Sequence, residues 1–152
     1  MSMQEVFTTV AIHLLRQGKQ SIRTERSREE GRCAYRSAHG GLKCAIGKLI
    51  TDEHYTQDLE GLSVSSGNVL TALYESGVPY MPECFLYRLQ EIHDCYEPVR
   101  WEALLRGFAM FWYLEFPDTA ALLSQCQLPQ AATKPTAEAT ATVTETEGAL
   151  HE

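Results

Sequence analysis

Long apolar segments are missing from this chain. No stretch of 18 consecutive apolar residues occurs among its 152 residues, so we expect no membrane-spanning helix and no membrane partner. The first ten residues, MSMQEVFTTV, include an acidic residue and no basic n-region, so we expect no secretory signal. Hydrophobic residues nevertheless make up 44% of the chain, which is enough to build a folded core.

Disulfide and zinc-module patterns are missing as well. The five cysteines are an odd number at irregular spacing, and no CxxC pair is present. Without a secretory signal, this pattern favours reduced thiols. We therefore predict a cytoplasmic protein whose cysteines are small buried hydrophobic residues.

Catalytic motifs are equally scarce. The chain has no GxSxG elbow and no glycine-rich phosphate loop, and Cys44 has no histidine and acid in a recognisable order. The pair His93–Asp94 resembles paired ligands of metal-dependent phosphohydrolases, but nothing fixes the further ligands that such an enzyme needs. A helix-end histidine bonded to a nearby acid or carbonyl is the simpler interpretation. We predict that the protein is not an enzyme and uses no cofactor.

A basic segment lies within this acidic chain. Residues 16–48 contain nine basic and three acidic residues, a net charge of +6 in a chain whose total charge is −7. Segregated charge of this kind can steer a charged partner towards the protein. A solvated loop beside an acidic surface is the alternative interpretation.

The stretch from residue 33 to residue 55 predicts a small antiparallel β-hairpin. Apolar residues alternate with other residues on both sides of a turn that contains Gly40–Gly41. With the turn centred on His39–Gly40, Tyr35 faces Cys44. With the turn centred one residue earlier, Cys33 faces Cys44, and the turn chemistry leaves both registers open. The predicted apolar face consists of Cys33, Tyr35, Leu42 and Cys44.

Helical periodicity accounts for most of the remaining chain. The pattern of apolar residues, caps and prolines predicts helices at residues 3–17, from a cap at Ser65 or Ser66 to 75, at 82–96 and 98–115, and from a cap at Asp118 to 125. Residues 45–50 could continue the strand or form a short helical turn, which the spacing of Ile46, Leu49 and Ile50 favours, with Thr51 or Asp52 capping a further turn through Tyr55. The fold class that follows is α+β, with about five helices around the one hairpin. Residues 1–126 are predicted to form a single domain that includes a mobile basic loop at 19–31. Residues 127–152, rich in Ala, Thr and Glu, are predicted to be a disordered tail.

Several spaced motifs share an order that resembles a known group. They are Cys33-x-Tyr35-Arg36, Gly41-Leu42-Lys43-Cys44-Ala45-x-Gly47-x-Leu49-Ile50-x-Asp52-Glu53-x-Tyr55, Glu60-Gly61, Leu86-x-x-Leu89-Gln90-x-Ile92-His93-Asp94 and Trp101. In this order they resemble a group of small proteins of tailed phages and prophages, over roughly residues 4–115. The resemblance supplies no catalytic residue. The segment 19–31 is longer than in that group, and the tail is an addition.

The resemblance implies a phage or prophage accessory protein. Small acidic proteins of this type act by binding, so we expect it to block a host or defence-system protein in the host cytoplasm by occluding a site. Arginine is favoured at protein interfaces, which makes the arginine-bearing loop and hairpin the expected contact surface. The candidate partner-binding residues are Arg23, Arg26, Arg28, Arg32, Arg36, Tyr35 and His39.

Two alternative functions use overlapping residues. In a nucleic-acid-binding module, the arginines of segment 16–48 would contact phosphates and Tyr35 would stack on a base. In a zinc-binding protein, thiols and imidazoles would provide tetrahedral ligands. The candidate metal ligands are Cys33, Cys44, His39 and His54.

Overall fold

Five α-helices provide the regular secondary structure in the part of the chain that is described. The computed structural model describes residues 1–23, 33–38 and 41–118. The helices are α1 (Met3–Gln17), α2 (Ala45–Leu49), α3 (Gly67–Glu75), α4 (Glu83–Cys95) and α5 (Pro98–Phe111), and a 3₁₀ helix spans Gln57–Leu59. No helix within these ranges is long and apolar enough to cross a bilayer.

The predicted β-hairpin is wrong. Within the described ranges there is no strand, and the backbone shows two isolated antiparallel bridges, Ile22 with Cys33 and Arg36 with Lys43. The second bridge pairs the chain in the register that sets Tyr35 opposite Cys44, whose N–H donates to the Tyr35 carbonyl at 3.1 Å. The predicted α+β class is therefore also wrong, and the described part of the chain has a helical fold.

Side chains form hydrogen bonds with backbone groups that would pair between strands in the expected hairpin. The Glu60 carboxylate accepts hydrogen bonds from the backbone N–H groups of Tyr35 and Arg36, at 3.0 and 2.9 Å. The Gln17 side chain accepts from the Lys43 N–H and donates to the Lys43 carbonyl, both at 3.0 Å. Because every backbone donor needs a partner, groups satisfied in this way do not extend a sheet.

The core lies where α1 and α4 pack against both α2 and α5. Phe108 is stacked on Phe7 with ring centroids 5.6 Å apart, and it meets Phe85 edge-on at 5.0 Å. Trp101 is completely buried, and its indole N–H donates to the Tyr96 carbonyl at 2.8 Å. Buried aromatic rings of this size dominate core energetics, so α5 is anchored through one face.

Helix α5 ends earlier than its apolar pattern predicts. The helix stops at Phe111, four residues before the predicted end at 115. The apolar pattern of α5 includes Phe111 and Trp112 but does not determine whether they are core or surface residues. In the structure Phe111 is exposed and Trp112 is half-buried. The end of α5 therefore presents apolar side chains at the surface.

Candidate protein-binding groove

The candidate site lies between α4 and α5, and the junction of these helices is firmly held. A two-residue connection, Tyr96–Glu97, joins them, and Pro98 begins α5 at a position where a missing N–H costs nothing. The Gln20 amide donates to the carbonyls of His93, Asp94 and Tyr96 at 2.9–3.3 Å. These bonds satisfy carbonyls at the end of α4 and fix the loop that leads into α5.

A largely apolar groove opens along the two helices. Its volume is about 740 Å³, within the range of pockets that bind ligands or side chains of a partner. Arg88 and Glu91 provide its polar edge. The apolar lining includes Ile92, Tyr96, Leu104, Phe108, Phe111 and Trp112.

Exposed apolar side chains follow one another at the end of α5, where Phe111 and Trp112 line the groove. Met110, Phe111 and Tyr113 are 79%, 75% and 97% exposed. Trp112 forms the floor between them and the core, with its ring 5.6 Å from Phe111 and 5.2 Å from Phe85. Contiguous exposed apolar surface next to a groove is typical of interaction sites, whereas single exposed residues are not.

Tyr113 is held in a backbone conformation that normally favours glycine. Its φ is +54°, and no other non-glycine residue in the described ranges has a positive φ. It follows the C-cap Trp112, and its N–H donates to the Met110 carbonyl at 3.4 Å while the Leu114 N–H donates to the Ala109 carbonyl at 2.9 Å. This is the Schellman arrangement, in which the position of Tyr113 usually holds glycine.

The sequence-predicted binding residues that are described lie elsewhere. Tyr35 is buried, and its hydroxyl donates to the Leu62 carbonyl at 2.8 Å. Arg36 lies 4.0 Å above the Tyr55 ring, contacts Asp52 at 2.7 Å and donates to the Ile50 carbonyl at 2.9 Å. These bonds are internal to the chain, so both residues have a structural role.

The remaining predicted binding residues are divided between surface and undescribed positions. Arg23 is exposed. Arg26, Arg28, Arg32 and His39 lie outside the described residues, as do most of the segments predicted to be a mobile loop (19–31) and a helix (118–125), and all of the predicted disordered tail (127–152). Their part in partner binding stays a prediction.

The candidate zinc ligands do not come together in the described ranges. Cys44 caps α2 by accepting a hydrogen bond from the Gly47 N–H at 3.2 Å, and burial raises the pKa of its thiol to about 12. His54 lies 3.4 Å from Glu75 instead. His39 is outside the described residues.

A different trio of possible ligands is adjacent. The ligand atoms of Cys33, His93 and Asp94 all lie within 4.8 Å of one another. His93 is completely buried, its Nε2 accepts a hydrogen bond from the Ser21 N–H at 2.9 Å, and its Nδ1 therefore carries the proton that bonds to Asp94 at 2.7 Å. Burial, and then the Asp94 charge, raises the pKa of the Cys33 thiol. With both ring nitrogens engaged and a protonated thiol, the trio forms a hydrogen-bonded network that joins α4 to the segments around residues 21 and 33.

Sequence reasoning missed the α4–α5 groove. The available signal was the run Met110–Tyr113, in which four consecutive large apolar or aromatic residues cannot all face one side of a helix. Comparison of the chain with known protein families, curated proteins and solved structures finds no match.

Proposed function

We propose that this chain is a non-enzymatic binding protein that docks an apolar segment of another protein in the α4–α5 groove. The observation that supports this most directly is Tyr113, an almost fully exposed aromatic residue in a left-handed conformation, which directly follows the groove residues Phe111 and Trp112 in the chain. Large exposed aromatic side chains are the residues that most often dominate binding energy at interfaces.

The two backbone hydrogen bonds at the end of α5 would form equally well with glycine at position 113, so they do not account for a tyrosine there. A left-handed backbone costs a non-glycine residue roughly 1–2 kcal/mol. A side chain that is 97% exposed gains almost no packing energy in return. Since strained residues cluster at functional sites, the tyrosine is better accounted for by contacts with a partner than by stability.

The resemblance to phage and prophage proteins provides the class of partner. By that analogy the partner is a host or defence-system protein in the host cytoplasm, and binding blocks it by occluding a site. The exposed Arg23 and the arginines outside the described residues would add charged contacts around the apolar anchor. The binding surface we propose is therefore centred on the groove, with the arginine-bearing segment as a second contact.

Capture from a nuclease-treated host lysate tests this function when variants are compared. Phe111 and Tyr74 are both aromatic, both 75% exposed and both at or next to a helix end, and Tyr74 does not line the groove. We expect wild type and Tyr74→Ala to retain a protein that Phe111→Ala and Tyr113→Gly lose. Tyr113→Gly is expected to keep or raise the free energy of unfolding, by up to about 1 kcal/mol, because it relieves the strained backbone. Equal capture by all four proteins would contradict the proposal.

Nucleic-acid binding is the second candidate, supported by a basic pocket. Arg16 and Lys48 line a pocket of about 490 Å³ together with His13, and no acidic residue lines it within the described ranges. Burial, and to a smaller extent the charge of Lys48, lowers the pKa of His13. Binding to phosphates would weaken steeply with added salt, whereas docking in the apolar groove would weaken far less. Arg16→Gln combined with Lys48→Gln should abolish oligonucleotide binding if this candidate is right.

Zinc binding is the third candidate and has a direct test. Elemental analysis of the purified protein is expected to find no stoichiometric zinc, because the imidazole of His93 already has both nitrogens in hydrogen bonds. One tightly held zinc per chain would contradict this expectation.

A further inference from the structure

We infer that the segment docked in the α4–α5 groove is a cationic amphipathic helix. This inference rests on the proposed function and adds the chemistry of the partner. Two neighbouring helices that expose an apolar groove match the mode in which a partner helix lays its apolar face between them. The charges around the groove decide which polar face such a helix would carry.

The arginines around the groove are already neutralised or stacked. Arg88 contacts Glu91 at 2.6 Å, and Arg106 contacts Glu102 at 2.7 Å. Arg100 lies 5.3 Å from the centroid of the Tyr96 ring, in cation–π contact. A guanidinium with a partner in its own chain offers less attraction to an incoming acidic group.

Three acidic residues close in sequence to groove residues have no basic partner among the described residues. Residues 80–118 contain seven acidic residues and three arginines, a net charge of −4. Glu83 and Glu97 are next in sequence to the groove residues Cys84 and Tyr96, and Glu115 follows two positions after Tyr113. The unpaired negative charge of this part of the chain therefore favours lysine or arginine on the partner.

A second copy of the chain is a poor occupant on the same grounds. Symmetric pairing through this face would bring together two copies of segment 80–118, each with a net charge of −4, in a protein whose total charge is −7. Like charges placed opposite each other act against association. The negative charge that repels a second copy of the chain attracts a cationic helix.

Peptide binding measured by fluorescence anisotropy tests the inference. Two labelled peptides share one apolar helical face, with leucine and phenylalanine at i, i+3, i+4 and i+7, and have either lysine or glutamate at the other positions. A third peptide has the composition of the lysine peptide in scrambled order. We expect the lysine peptide to bind wild type at least about tenfold more tightly than either other peptide, and this preference to shrink between about 0.05 M and about 0.5 M salt.

Variants test the contributions of the acidic residues and of the apolar groove separately. Glu97→Gln with Glu115→Gln should reduce the preference for the lysine peptide, and Phe111→Ala should weaken its binding at every salt concentration. Tyr74→Ala should behave as wild type. The inference is overturned if the scrambled peptide binds equally well, if the glutamate peptide binds as tightly or better, or if neither ordered peptide binds.

The same data distinguish failure of this inference from failure of the proposed function. Tighter binding of the glutamate peptide, still weakened by Phe111→Ala, would reject the cationic partner and keep the groove as a docking site. If neither Phe111→Ala nor Tyr113→Gly changes the affinity for the peptides, the groove is rejected as the docking site. A dimer in sedimentation velocity that Phe111→Ala dissociates would replace the cationic helix with a second copy as occupant.

Discussion

Gly47 packs its backbone directly against the backbone of Tyr35. A Cβ atom at this position would overlap the carbonyl oxygen of Tyr35, which is backbone and cannot rotate away. The contact lets α2 lie against the segment that carries Tyr35, whose carbonyl also accepts the Cys44 N–H. A sequence pattern shows Gly47 as the flank of a turn, and its close contact with a segment twelve residues earlier is visible only in the folded chain.

We predict that Gly47→Ala lowers the free energy of unfolding by at least about 1–3 kcal/mol, the usual cost of overpacking a dense interior. Urea denaturation monitored by circular dichroism measures the change. Gly107→Ala is the matched control, because Gly107 is also helical and has nothing within 4 Å of an added Cβ. That control should be stabilised by about 0.5–1 kcal/mol through helix propensity. Equal effects at the two glycines would contradict the packing argument.

At the scale of elements, side chains rather than neighbouring strands bind the backbone N–H and C=O groups of the segments that connect the helices. Glu60 binds the backbone of Tyr35 and Arg36 and also accepts the Tyr55 hydroxyl at 2.7 Å. Gln17 on α1 bonds to both backbone groups of Lys43. The alternating residues around Gly40–Gly41 predicted a hairpin with two registers left open. The chain adopts the backbone pairing of one of them without forming strands, because side chains distant in sequence bind the same N–H groups.

Glu60→Gln should lower the free energy of unfolding by about 2 kcal/mol. An amide has one acceptor oxygen, so at least one buried N–H would lose its charged partner. Asp58→Asn is a control of the same chemical type on the exposed side of the 3₁₀ helix, and it should change stability by less than about 0.5 kcal/mol. Thermal and urea unfolding measure both variants, and a neutral Glu60→Gln would show that the carboxylate does not join these segments.

At the scale of the whole molecule, several buried or half-buried thiol and phenol groups have raised pKa values and stay protonated. Burial raises the pKa of the Cys44 thiol from 9.0 to about 12 and, together with the hydrogen bond to Glu60, raises that of the Tyr55 hydroxyl from 10.0 to about 12. The pKa values of Cys33 and Tyr35 are also raised, mainly by burial. Since the unfolded chain loses these protons first, the folded state is destabilised as the pH rises.

We therefore expect the melting temperature to be flat between about pH 7 and pH 8 and to fall steadily from about pH 9 upwards. Differential scanning fluorimetry across this range, in reducing buffer, measures the fall. Cys44→Ala should show a shallower fall from a lower starting point, because the thiol is removed and a small cavity is left. Cys84→Ser, at an exposed position, should follow wild type. A flat profile up to about pH 11 would contradict the linkage.

The helices were largely accessible to prediction because their signals are local. Residues 3–17 were predicted and α1 spans them, with Ser2 and Glu5 forming a capping box and Gly18 ending the helix. The same reasoning placed α4 and the start of α5 within one residue, through Pro82 and Pro98. Caps, prolines and the 3.6-residue period depend on neighbours a few positions away, and a single sequence contains them in full.

The groove and the backbone pairing depended on long-range packing. Phe111 is left at the surface because Phe7, Phe85 and Phe108 already fill the core beside α5. Tyr35 and Arg36 stay out of a sheet because their N–H groups bind the Glu60 carboxylate, about 25 positions further along the chain. Helix boundaries and charge segregation could thus be obtained from the order of residues. The exposed aromatic end of α5 and the loss of the hairpin arose from competition for volume and for hydrogen bonds, which are settled when the chain folds.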